Sequence, residues 1–276
     1  MEIWHHFAVR KETDPLTTQY ILNSNILYKL VEGVLFSVDI SEDDPHWAEL
    51  SRLLKLENNT YTSETKFSKE ELFEAEWLTM RSKWHYDYPQ PEECYTELTY
   101  SEENACSKCG VGLVQQDSFR FKKTPKWGRR NFCTTNWVYD ELYVSPKAKE
   151  LLESSDLKGF SFLNVLNKSG REVLADIDQM QIPYILPEGL ETSSERIDEV
   201  SNCPVCGKRK FLGNGRGQYT FKKDAFLNAP DFVKSAEQFG SRLIASRLIL
   251  VSQDAHKFIV ENKLDSSLVF EPIQLI

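Results

Sequence analysis

The stretch Cys106-Ser107-Lys108-Cys109-Gly110 recurs 97 positions later as Cys203-Pro204-Val205-Cys206-Gly207, and the fold expected of the whole chain turns on that recurrence. A CxxC turn brings two sulfurs within about 4 Å on one bent loop, and a glycine after the second cysteine permits a positive φ. Each turn offers two thiolates, whereas a closed structural zinc site needs four. Cys106, Cys109, Cys203 and Cys206 are therefore expected to converge on one structural Zn2+ at about 2.3 Å each, with the two halves facing each other about a pseudo-twofold axis. The 93 residues between Cys109 and Cys203 far exceed the spacer of a compact zinc ribbon. Closing such a loop costs on the order of 4 kcal/mol, so the intervening segment must fold. Zinc association, worth roughly 10 to 16 kcal/mol at neutral pH, exceeds that cost. The rival is redox chemistry, in which a CxxC at a helix start cycles through a disulfide. Neither pair opens an amphipathic helix, and two pairs suit a shared ion better than two redox centres. Four thiolates leave no open position for water, so a catalytic zinc is not expected. Cys94 and Cys133 fall outside this scheme and read as ordinary buried small residues, an additional ligand being the alternative.

Two further correspondences follow the knuckle in the same order. Phe121-Lys122-Lys123 matches Phe221-Lys222-Lys223, each at the end of a Gly-containing stretch expected to form a short hairpin after the knuckle. Leu142-Tyr143-Val144-Ser145, continuing to Leu151-Leu152, aligns with Ile249-Leu250-Val251-Ser252, continuing to Phe258-Ile259. Both read as strand, serine cap, short helix and strand, the second strands being Phe160 to Val165 and Leu268 to Ile273. Three matches in one order make duplication the expected architecture. The fold class is α+β: an N-terminal α+β region over 1–100, then a duplicated zinc-knuckle domain over 101–276, with repeats at about 101–175 and 198–276. In the N-terminal region a strand is expected over Gly33 to Ile40. A helix from Asp44-Pro45 places Trp47, Leu50, Leu53 and Leu54 on one face, and Ser68 with Glu71 forms a capping box ahead of Leu72, Ala75 and Leu78. The Pro-rich acidic residues 87–105 suit a connection, which puts the boundary near residue 100.

The 276 residues are 41% apolar, enough for a hydrophobic core and too much for general disorder. No run approaches the roughly 18 to 20 apolar residues of a membrane span, and Met1-Glu2-Ile3-Trp4-His5-His6 lacks the layout of an export signal, so a cytoplasmic, non-membrane protein is expected. The net charge of -9 hides a division. Residues 106–130 carry 7 basic side chains against 1 acidic, and residues 203–223 carry 6 against none, while the remainder sums to -21. That basic excess is open to two readings. One is a basic face interleaved with aromatics (Phe119, Phe121, Lys122, Lys123, Lys126, Trp127, Arg129, Arg130, then Lys208, Arg209, Lys210, Tyr219, Phe221, Lys222, Lys223) for phosphates or an acidic protein. The other is electrostatic support for four thiolates around Zn2+, which carry a local charge of about -2.

Other constellations carry less. Gly213-Asn214-Gly215-Arg216-Gly217 lacks the Gly-Lys-Ser/Thr ending of a phosphate loop and reads as the hairpin turn of the second knuckle, with Arg216 exposed. His5-His6 on a strand point to opposite faces with no carboxylate spaced to orient a ring, so neither is expected to bind metal. Ser169-Gly170 reads as a turn rather than a nucleophile elbow. Trp84-His85-Tyr86-Asp87-Tyr88-Pro89 is the densest aromatic cluster and is expected to pack within the protein.

The two CxxCG knuckles nearly a hundred residues apart resemble those of the bacterial double-CxxCG motif proteins, some of which are immunity proteins of polymorphic toxin systems. The tail, from Leu248-Ile249-Leu250-Val251-Ser252 through a helix to Phe270-Glu271-Pro272-Ile273, is similar to the end of a related bacterial immunity-type family. The resemblance spans residues 106–276 and carries over only to the four cysteines and to Gly110 and Gly207. It implies a cytoplasmic zinc-binding protein that neutralises a cognate toxin by direct association. No catalytic and no further cofactor-binding residues are expected, and the expected partner is a protein that meets the acidic surface. Association with nucleic acid through the basic knuckle neighbourhoods is the alternative.

Overall fold

The structure, a computed structural model, describes residues 1–276, the side chain of Glu199 excepted. The chain opens with β1 (Glu2–Arg10), α1 (Pro15–Asn23), β2 (Lys29–Val31), β3 (Leu35–Ser41), α2 (Trp47–Leu56) and β4 (Thr62–Lys66). The strands form an antiparallel sheet in the order β2-β3-β1-β4. Alternation along β1 and β3 turns Phe7, Val9, Val38 and Ile40 to one face, where Ile21 of α1 and Trp47, Leu50 and Leu54 of α2 cover them. The capping box opens α3 (Lys69–Glu74): Ser68 Oγ accepts from the Glu71 amide at 3.2 Å, and the Glu71 carboxylate accepts from the Ser68 amide at 2.8 Å. The helix stops at Ala75, whose backbone is extended, so Leu78 lies not on the helical stripe but on β5 (Trp77–Ser82). Leu72, Ala75 and Leu78 nevertheless share one core cluster.

Then come α4 (Tyr95–Thr99), β6 (Tyr100–Ser101), β7 (Val114–Gln115), β8 (Arg120–Phe121), β9 (Phe132–Cys133), β10 (Leu142–Val144), α5 (Pro146–Glu153), β11 (Ser161–Asn167) and β12 (Val173–Gln181). The last stretch holds β13 (Ile197–Asn202), β14 (Arg209–Gly213), β15 (Thr220–Phe221), β16 (Phe232–Phe239), β17 (Ser246–Ser252), α6 (Gln253–Glu261), β18 (Leu268–Pro272) and β19 (Gln274–Leu275). One sheet has the order β8-β11-β12-β10-β9 and the other β13-β14-β16-β17-β5-β18. The protein is thus mixed α+β. Strand β5 pairs with both β17 and β18, so residues 77–82 belong to the C-terminal sheet. The N-terminal sheet ends at Lys66, and the next strand, β5, already pairs outside it. The Pro-rich composition of 87–105 marks a turn-rich connection inside the larger body, not its edge.

The two halves of the larger body are wired alike at several points, β15 and β19 forming a small two-stranded sheet of their own. Phe121 on β8 pairs in parallel with Asn167 on β11, and Phe221 on β15 pairs in parallel with Leu275 on β19. Phe132 faces Val144 and Cys133 faces Tyr143 across β9 and β10; Phe232 faces Val251 and Val233 faces Leu250 across β16 and β17. Ser145 caps α5 through the Ala148 amide and Ser252 caps α6 through the Ala255 amide, each at 3.2 Å. Each sheet is covered on both faces. Phe132, Leu142 and Val144 meet Phe232, Ile249 and Val251 in a core shared with α5, α6 and β5. Cys133 and Tyr143 face a separate outer cluster with Phe119 and Phe121, while Val233 and Leu250 face another with Phe211 and Phe221. Burial on both faces explains why these strands read as continuous apolar runs. Among the described residues, no helix is long and apolar enough to cross a membrane.

Candidate metal centre

The knuckles are themselves the loops that close antiparallel pairs, rather than being followed by hairpins as expected. Residues 102–113 join β6 to β7, and residues 203–208 join β13 to β14, where Asn202 pairs with Arg209. Their backbones follow one pattern. Cys106 N donates to Val111 O at 2.8 Å and Gly110 N to Cys106 O at 2.8 Å; Cys203 N donates to Lys208 O and Gly207 N to Cys203 O, both at 2.9 Å. Gly110 at φ +76° and Gly207 at φ +69° supply the left-handed residue that each turn requires.

The four sulfurs converge. Cys106 Sγ lies 3.7 Å from Cys203 Sγ, and Cys109 Sγ lies 3.6 Å from Cys206 Sγ. All four fall within 4.8 Å of one another and all are free thiols. A tetrahedron with metal–sulfur distances of about 2.3 Å has edges of about 3.8 Å, so this set fits one tetrahedral ion with each knuckle supplying two ligands. Both of these contacts run between knuckles, so an ion here would tie residue 106 to 203 and 109 to 206. The local electrostatics favour thiolates at two positions. The backbone amides of Lys108 and Cys109 hold Cys106 below the ordinary thiol range, and those of Cys206 and Val205 bring Cys203 down to about 6. Cys109 is buried, and without a metal its thiol is pushed up to about 12. The soft ligand set selects zinc-like ions, and when bound such an ion neutralises the buried thiolate and cross-links the chain.

Lys210, expected on an exposed basic face, is instead buried on β14. Its Nζ donates to Cys109 O at 3.0 Å, Arg242 O at 2.6 Å and Ile244 O at 2.9 Å. One ammonium from the second half thus holds the first knuckle and the 242–244 loop, and puts a positive charge behind the thiolates. Leu243 presses on that knuckle closely: a Cβ at Gly110 would come within 2.0 Å of Leu243 O.

The remaining candidates resolve as follows. Phe119, Phe121, Tyr219 and Phe221 are core residues, so these four do not contribute to the aromatic-basic face, one of the two readings of the basic excess. Its cations are partly engaged: Lys122 with Glu92 at 2.8 Å, Lys223 with Glu76 at 2.9 Å, and Arg130 over the Trp84 ring at 3.7 Å. The 213–217 stretch is no hairpin turn, and Arg216 is not free. Its guanidinium grips both Glu42 oxygens at 2.5 and 2.6 Å, docking this segment on the N-terminal sheet. His5 is buried, and a carboxylate does orient its ring, Nε2 lying 3.1 Å from Glu42, with Trp47 stacked at 3.7 Å. It is a core residue, and sequence spacing hid its partner. Cys133 sits in the core on β9, where burial raises its thiol pKa. Neither Cys133 nor Cys94 belongs to the sulfur cluster. Ser169-Gly170 forms the turn between β11 and β12, and Trp84 and Tyr86 pack against the outer cluster of the first sheet.

Fold and site together define an α+β protein with four cysteines placed to hold one metal ion. No protein-family model matches the chain, and no curated protein matches it.

Proposed function

We propose that this chain is a non-catalytic zinc protein that acts by binding another protein, as an immunity protein neutralises a cognate bacterial toxin. The observation that carries this reading is the closed set of Cys106, Cys109, Cys203 and Cys206, which uses every tetrahedral position for protein sulfur and leaves none for a substrate. The ion is one structural Zn2+, and the body it joins is a duplication of knuckle, strand, capped helix and strand. The matched pairings of Phe121 with Phe221, of Phe132-Cys133 with Phe232-Val233, and of the two serine caps support the duplication. The double-CxxCG resemblance supplies the toxin as the class of partner. Nucleic-acid association has less support, because the aromatic residues it needs for base stacking are in the core.

Elemental analysis is expected to find one zinc per chain, lost together with cooperative unfolding in Cys206→Ser; a Cys206→Ser chain that keeps its zinc and its Tm would overturn the metal assignment. Purified zinc-loaded chain, used as bait in lysate of the native cell, is expected to retain a basic protein at defined stoichiometry. Co-expression should then suppress that protein's toxicity. Undiminished toxicity with a stable complex would remove the immunity reading.

A further inference from the structure

A cleft of about 880 Å³ opens beside the first knuckle, between residues 95–115 and 137–141 on one wall and residues 243–247 on the other. Three features of it do nothing for the metal. The first is Trp137, held at φ +71° while 42% exposed. A bulky side chain in the left-handed region is strained, and strain of that kind clusters at functional sites. Tyr88 and Tyr95 brace the indole, with ring centroids at 4.5 and 6.0 Å. The second is a surplus of acceptors. Gln238 Oε1 is buried in the lining without a hydrogen-bond partner among the described residues. Glu102 lines the same space with a carboxylate, as does Asp140, whose Oδ2 accepts from the Arg247 amide at 3.0 Å and lies 3.9 Å from Lys234 Nζ. The cations of the lining are already engaged: Lys234 bonds Glu141 at 2.5 Å, and Arg247 Nη1 donates to the Ser235 carbonyl at 2.7 Å and to the Ala236 carbonyl. The third is an apolar rim of Val114, Ile185 and Leu243, all exposed.

We propose that this cleft is the docking site of the protein partner and that it takes an arginine side chain flanked by apolar residues. This deepens, and rests on, the protein-association reading. A guanidinium offers five donors in one plane, stacks on an aromatic face, and can serve the unpartnered Gln238 Oε1 together with the carboxylates; lysine is a point charge and does this less well. The apolar rim then covers the neighbouring residues, in the manner of an aromatic-arginine hot spot. The cleft's own lining carries Glu102, Asp140 and Glu141 against Lys234 and Arg247, which favours approach of a basic partner over an acidic one.

The test uses the zinc-loaded full chain and three peptides: acetyl-Leu-Arg-Leu-amide, the same peptide with neutral citrulline in place of arginine, and one with glutamate there. Indole N–H signals are followed by NMR, with Trp137 assigned from Trp137→Phe. The arginine peptide is expected to shift the Trp137 signal saturably, and the citrulline and glutamate peptides to bind at least about tenfold more weakly. Trp137→Ala should weaken the arginine peptide about tenfold with zinc content and Tm unchanged, and Asp140→Asn should weaken it severalfold. Equal binding of arginine and citrulline, no saturable shift, or an unaffected Trp137→Ala would overturn the proposal. A partner captured from cells with undiminished affinity for Trp137→Ala sinks the cleft and leaves the association reading standing. An arginine-selective cleft in a chain that captures nothing does the reverse.

Discussion

Gly110 and Gly207 occupy matching places in two knuckles and read identically in sequence, yet their surroundings differ. At Gly207 a Cβ would meet nothing within 4 Å, so Gly207→Ala pays only for the positive φ, about 1 to 2 kcal/mol. At Gly110 the same φ is combined with Leu243 O at 2.0 Å from the added carbon, so the 242–244 loop must move. Gly110→Ala is expected to cost about 3 kcal/mol or more, read from urea midpoints of the zinc-loaded variants. Equal costs would show that the loop yields freely. Lys210 makes a parallel case. Lys210→Met leaves the carbonyls of Cys109, Arg242 and Ile244 without their shared donor, an expected loss of about 2 to 3 kcal/mol in the same measurement. Lys210→Arg should not restore it, because a planar fork cannot serve three carbonyls around one point. The cysteines and glycines were legible because their chemistry is local. Lys210 was not, because a lysine's burial depends on carbonyls about 30 and 100 residues away, and composition places it with solvent-facing neighbours.

At the scale of elements, the strand-helix-strand units could be read because a serine cap and a three-to-four spacing are properties of consecutive residues. The two-residue strands β8, β9 and β15 could not, since two residues have no period. The likeness of β9 to the start of β16 shows only in register, since Phe132-Cys133 and Phe232-Val233 share a single residue type. Strand β5 was beyond sequence for another reason: its ladder partners lie more than 160 residues away, and the neighbouring capping box makes its first residues look helical. The 213–217 segment was misread because its glycines signal a turn, whereas one of them serves close approach. A Cβ at Gly215 would sit 1.6 Å from Ser63 O, and Thr65 Oγ1 bonds Gly215 O and Gly217 N at 2.8 Å each. Gly215→Ala is therefore expected to undock the N-terminal sheet and split thermal unfolding into two transitions. Arg216→Ala, which removes a half-exposed ion pair worth about 1 kcal/mol, should lower the midpoint slightly and keep one transition. Calorimetry decides: a single transition in Gly215→Ala would mean that this loop does not hold the two bodies together.

At the scale of the molecule, the N-terminal sheet and the central body each bury a histidine in neutral form, and this sets how the whole responds to acid. Burial holds His5 below its ordinary value of 6.5 against the opposing pull of Glu42, and burial likewise lowers His256, which packs between α6 and the Phe73 and Phe270 rings. The unfolded chain therefore takes up protons first as pH falls. The contribution of both groups to stability is complete above about pH 6.5 and is lost as pH drops below it towards the folded values. Thiolate ligation works in the same direction, since protonation competes with the metal. The two sources separate by substitution. Wild-type Tm is expected to decline between about pH 7.5 and 5.5, and His5→Gln with His256→Gln to start lower but decline less steeply, with zinc content followed in parallel. Parallel slopes at equal zinc content would show that the two histidines do not set the acid sensitivity; a shallower slope would show that their burial carries part of it, separately from thiolate protonation.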